Sequence, residues 1–174
     1  MFVLGSQPEN PLQPTGRLAG SPKGGHVASR ISASTTIQRR VEEVFSYVLD
    51  LESNGPEWAP DLESVKKTSD GPVGAGTTFD QQQKIMGMRR STSLTFTAVE
   101  PSSRLEVEAD LGPIAPTMTA TFESSGDSTR VTFEGKPNPK GPFKLLAPLM
   151  ARQGQRLWDA QVAQLKTVLE ASTT

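Results

Sequence analysis

Between residues 27 and 37 the chain alternates: Val27, Ile31, Ala33 and Ile37 take one parity, and Arg30, Ser32, Ser34 and Thr36 the other. One apolar face at period two predicts a half-buried β-strand. The period then changes. Val41, Val44, Phe45, Val48 and Leu51 follow i, i+3, i+4, i+7 spacing, which predicts an amphipathic helix with Glu42 and Glu43 in its first turn, where the macrodipole favours acids. Asn54, Gly55 and Pro56 are expected to stop it.

After a Pro-flanked loop holding Trp58, period two returns and persists. Strands are predicted over Glu63–Thr68, from about Thr77 to Met86, and over Arg89–Val99, where Leu94, Phe96 and Ala98 share a face. Glu100-Pro101-Ser102-Ser103 turns the chain, and Leu105, Val107 and Ala109 then alternate with Arg104, Glu106 and Glu108. Met118, Ala120 and Phe122 mark a further strand, Ser124-Ser125-Gly126-Asp127 a turn, and Val131 and Phe133 the last strand. From Leu146 onward, Met150, Leu157, Val162, Leu165 and Leu169 form a helical stripe. The stripe implies a helix of about 27 residues, roughly 40 Å long. Pro148 should kink it or mark where it begins.

Six strands joined by short turns favour an antiparallel meander with one apolar face, and the C-terminal helix is the only element long enough to cover it. The fold class expected is therefore α+β. Either a packed core or an apolar cavity lies between sheet and helix. The inward parity carries Gln81 and Gln83 beside Phe79, and Arg90 and Thr92 beyond Leu94 and Phe96. A few polar groups in an apolar lining describe a site that orients a small molecule; the same residues at an open end of the sheet would simply be wet.

Composition narrows the chemistry. In 174 residues, 18 Lys+Arg nearly balance 19 Asp+Glu, which gives no broad positive field for nucleic acid. Cysteine is absent and His26 is the one histidine, so thiolate sites, His-based triads and His-rich zinc sites have almost no material, and neither metal nor redox cofactor is expected. The acids Glu57, Asp61 and Glu63 lack the glycine and spacing of a calcium loop and read as solvated surface. Residues 1–25, dense in Pro and Gly, read as a flexible tail, 26–171 as one domain and 172–174 as its end. With no basic leader and no apolar run of spanning length, a cytoplasmic protein without stable membrane insertion is expected. GPVGAGTT, residues 71–78, is one lysine short of a phosphate-binding loop: Thr77 stands where the lysine should be, and a strand follows instead of a helix. It reads as a hairpin connection at the rim of any tunnel.

Taken together, VEEVFSYVLDLESNGPEW, GPVGAGTTF, MGMRR, VEPSSRLEVE, STRVTFEG and PFKLLAPLMARQGQRLWDAQVAQLKTVLEA make residues 27–171 resemble the SRPBCC superfamily, which includes START-like lipid-transfer and polyketide cyclase/dehydrase proteins. Arg40 stands where relatives often carry proline. The resemblance implies a helix-grip fold: a seven-stranded antiparallel sheet curled around a long C-terminal helix, with one or two short helices after the first strand and a hydrophobic tunnel between. It implies binding of a lipid, quinone or polyketide, with a lining drawn from Trp58, Phe79, Gln81, Gln83, Arg90, Phe96, Met118, Phe133, Phe143, Leu146 and Met150. The second reading is a polyketide cyclase/dehydratase. The tunnel arginine of those enzymes falls near Thr97, which leaves Arg90 as the one catalytic candidate and Tyr47 as a packing residue. A ligand-free protein-interaction module is the third reading, and a homodimer is compatible with all three.

Overall fold

The computed structural model describes residues 30–85 and 87–171; Val27, His26, the 1–25 tail, Met86 and 172–174 lie outside them. The order is β1 (Ile31–Ile37), α1 (Val41–Leu49), α2 (Leu51–Trp58), β2 (Leu62–Lys67), β3 (Thr78–Ile85), β4 (Met88–Glu100), β5 (Arg104–Asp110), β6 (Thr117–Ser125) and β7 (Ser128–Lys136). A 3-10 turn, Gly141–Leu146, leads into α3, Ala147–Ala171. The seven strands form one antiparallel sheet ordered β1-β7-β6-β5-β4-β3-β2. This is the helix-grip arrangement.

Every neighbouring pair is antiparallel, so the turns fall at two ends. At the upper end lie the β2–β3, β4–β5 and β6–β7 connections and the exit of β1; at the lower end lie β3–β4, β5–β6 and the passage from β7 to α3. Helix α3 climbs beside β1 and is tied to it by polar bonds. Gln155 brackets the Ser32 backbone, Lys166 Nζ donates to Thr36 O at 2.7 Å, and Arg39 Nε donates to Leu169 O at 2.9 Å.

The helix expected to stop at Asn54-Gly55-Pro56 instead breaks at Asp50 and continues as α2. Asp50 Oδ1 accepts from Ser53 N, capping the new first turn, while burial of Leu51 and Trp58 holds Pro56 inside the helix. Gly55 is needed here, because a Cβ would lie 3.0 Å from Leu62 Cδ2 and 3.1 Å from Leu51 Cδ1. Pro148 lies in the first turn of α3, where its missing N–H is harmless. The GPVGAGTT stretch is a hairpin connection, with Gly71 and Gly76 at positive φ. It sits at the upper end, with Gly76 N bonded to Phe96 O.

The core is continuous. Helix α1 sends Val44, Phe45 and Val48 under the upper end, Phe45 meeting Phe122 edge-on at 5.2 Å. Phe133 lies between Trp58 (5.9 Å) and Trp158 (6.5 Å), and Phe79 packs on Phe96 at 4.9 Å.

Candidate functional site

Core packing is incomplete between the sheet and α3, where a cavity of about 200 Å³ remains, running from Phe96 and Leu105 down to the β5–β6 connection. Val48 and Leu51 roof it, and Leu105, Val107 and Met118 form the sheet wall. Trp158 and Leu157 line the helix side, and Leu111, Pro116 and Thr117 of the β5–β6 connection stand at the lower end. Backbone bonds brace that connection: Lys140 N donates to Pro113 O at 2.8 Å, and Ile114 bridges to Pro139.

The polar groups gather along one strip. Gln81 and Gln83 project from β3, Gln161 from α3, and Asp61 from the approach to β2; all four line the cavity. Gln83 Nε2 donates to Thr92 Oγ1 at 2.8 Å, and Gln161 Nε2 donates to Asp61 Oδ1 at 2.9 Å. Hydrogen bonding keeps these buried amides from being costly. Among the described residues Asp61 is the one ionisable side chain on the wall, which carries no cation. Reading Asp61 as solvated surface was wrong. Only α2, which places Trp58 and Ala59 against the core, turns the chain so that the carboxylate faces inward. Glu57 and Glu63 do lie outside the cavity: Glu57 accepts from Tyr47, and Glu63 binds Arg89 and Lys84 at 2.7 and 3.4 Å.

Of the residues expected on the lining, Trp58, Gln81, Gln83, Phe96 and Met118 are on the wall. Phe79 and Phe133 are buried in the core away from it. Arg90 is a correction. It pairs with Gln83 in register, but it is exposed beyond the last buried residue of β4, Thr92, and does not line the cavity. Thr97 is exposed at a β4 bulge and faces away. Phe143, Leu146 and Met150 are also corrected: Phe143 and Leu146 are exposed, Met150 is half-buried, and none lines the cavity. The chain meets the cavity on this side only from Leu157, and everything earlier runs past the rim. GPVGAGTT lies in the β2–β3 connection at the upper end and gives no residue to the cavity wall.

Two groups near the site hold unusual states. Trp58 Nε1 is buried without a hydrogen-bond partner among the described residues. Tyr47 donates its hydroxyl to Glu57 Oε2 at 2.5 Å, outside the cavity. Burial, then the Glu57 carboxylate as acceptor and as charge, push the Tyr47 pKa well above its ordinary 10.0. A pKa raised in the folded state stabilises fully below the unfolded value, and that stabilisation is lost as pH climbs towards the folded value. Because Tyr47 is the sole tyrosine, absorbance at 295 nm should show almost no tyrosinate at a pH where free tyrosine is half-ionised, and stability should decline above that point. Half-ionisation of the native protein at the ordinary value would refute this.

The sequence matches a family model described as "Polyketide cyclase / dehydrase and lipid transport" over residues 28–170. No curated protein matches the chain. Among solved structures, TTHA0849 from Thermus thermophilus is similar at 20% identity and a TM-score of 0.67, over 83% of this chain and 99% of that one. The Zhui aromatase/cyclase from Streptomyces sp. R1128 aligns at 11% identity and a TM-score of 0.69, over 83% and 95%. A START superfamily protein from Mycobacterium smegmatis aligns at 15% identity and 0.62, over 80% and 98%. At such identities these structures speak for the fold alone.

Proposed function

The chain belongs to the polyketide cyclase/dehydrase and lipid transport family, within the SRPBCC superfamily, and we propose that it binds one small, uncharged, largely apolar molecule bearing a hydroxyl or similar donor at one end. The composition of the wall carries this reading: apolar over most of its area, with a strip of three glutamines and one aspartate and, among the described residues, no cation. The apolar wall supplies affinity, and the strip sets which way round the ligand lies. A ligand hydroxyl can donate to the Asp61 carboxylate, whereas a ligand carboxylate about 4 Å from it would be repelled by about 4 kcal/mol at an effective dielectric of about 20. The volume is below the roughly 300–1,000 Å³ of pockets that enclose drug-sized ligands, which favours one short chain or a few fused rings over a two-chain lipid.

The cyclase/dehydratase reading has one observation in its favour, the Asp61 carboxylate on the wall as a base. It lacks an opposing acid: among the described residues no tyrosine, histidine, lysine or arginine lines the cavity, and Arg90 is outside it. Sequestration or transport fits this wall better.

The neutral fluorophore N-phenyl-1-naphthylamine tests the proposal. It should brighten on binding and be displaced by decanol at least about tenfold more readily than by decanoate at neutral pH, one decade being about 1.4 kcal/mol. Asp61→Asn should narrow that gap. A protein that takes up neither probe nor alcohol defeats the reading, and turnover of a polyketide abolished by Asp61→Asn would favour the enzyme.

A further inference from the structure

We infer that the lower end of the domain is a docking surface for an anionic lipid bilayer. This stands apart from the ligand reading and uses residues that line no part of the cavity. Leu145 is 88% exposed, Leu149 52%, Leu146 45% and Phe143 40%, all within seven consecutive residues, and Met88 at the same end is 54% exposed. Singly exposed leucines need no explanation, but a contiguous group does.

Charge says what covers this group. Residues 135–158 hold Lys136, Lys140, Lys144, Arg152 and Arg156 and no acid, in a chain whose acids outnumber its bases. Lys140 and Lys144 are exposed beside the leucines. Apolar side chains rimmed by cations are the composition of an interfacial segment, whose leucines enter the acyl boundary while its lysines meet anionic headgroups. The segment is also held in place. Pro137, Pro139, Pro142 and Pro148 restrict its backbone, and Pro113 O and Ile114 anchor it to the β5–β6 connection.

A second copy fits less well. A two-fold interface sets a patch against itself, and would place these lysines opposite one another. A protein partner would need a pocket for each protruding leucine, whereas lipid tails accommodate any protrusion.

Co-sedimentation of the full chain with vesicles of phosphatidylcholine, with and without phosphatidylglycerol, decides it. The protein should pellet with the anionic vesicles and stay in solution with the neutral ones. Binding should fall at least about tenfold as salt rises from about 0.1 M to about 0.5 M. Leu145→Glu with Leu149→Glu, and separately Lys140→Glu with Lys144→Glu, should abolish pelleting while melting and fluorophore uptake stay unchanged. Protein that remains in solution with anionic vesicles overturns the inference, as does pelleting that survives both double variants. If that soluble protein is a dimer split by Leu145→Glu, the patch is a self-interface instead.

Discussion

Gly135→Ala should destabilise the domain by about 3 kcal/mol and lower its melting temperature by roughly 10 °C, at the upper end of what overpacking one methyl does. Gly135 lies near the C-terminal end of β7, between Ile31 of β1 and Met118 of β6. A Cβ there would be 2.0 Å from the Thr117 backbone oxygen and 2.7 Å from Trp158 Cη2. Neither can yield cheaply. The carbonyl belongs to a paired strand, and Trp158 is wedged edge-on against Phe133 while also forming cavity wall. Displacing Trp158 should therefore weaken fluorophore binding together with stability, read by urea unfolding and titration of one sample. Gly154→Ala is the control. Its Cβ would meet only the Ile31 Cδ1 methyl, at 2.6 Å, which can rotate away, and the helix gains about 1 kcal/mol in propensity. Equal melting of the Gly135→Ala variant and the wild type would show that β6 shifts freely, against the packing described.

The features legible in the sequence are those governed by local periodicity. Leu105, Val107 and Ala109 alternate because one side of β5 faces the concavity, and the stripe through Val162, Leu165 and Leu169 exists because α3 closes it. Periodicity tells which face is apolar, not what stands opposite. Phe143, Leu146 and Leu165 belong to the same apolar run, yet only Leu165 has sheet across from it. Depth is equally silent: Phe79 and Phe96 share the inward parity, and the curvature of the sheet puts one in the core and the other on the wall. Asp61 gave the weakest signal of all. One acid of the Glu57, Asp61 and Glu63 cluster reads as surface until α2 is known to exist, and α2 hides behind Asn54-Gly55-Pro56, a turn sequence overridden by burial at Leu51 and Trp58.

Ala109→Phe should weaken binding of the neutral fluorophore roughly 70-fold while leaving the fold as stable as before. Ala109 lines the cavity from the lower end of β5, half-buried, its N–H held by Pro116 O at 3.0 Å. A phenyl ring grown there enters space already empty, so it adds contacts without the strain of an overfilled core. Denying a ligand about 100 Å² of apolar contact at about 25 cal/mol per Å² removes about 2.5 kcal/mol, or roughly 70-fold in affinity. Phe133→Ala should do the opposite. Phe133 is fully buried between the two tryptophans and off the wall, so its loss should cost about 3–5 kcal/mol and enlarge the interior instead of plugging it. Denaturant melts and fluorophore titrations on the two proteins separate wall from core: one should lose the ligand and keep its stability, the other should lose stability first. Undiminished binding by Ala109→Phe would place the ligand outside this cavity, because no molecule of useful size can share it with the added ring.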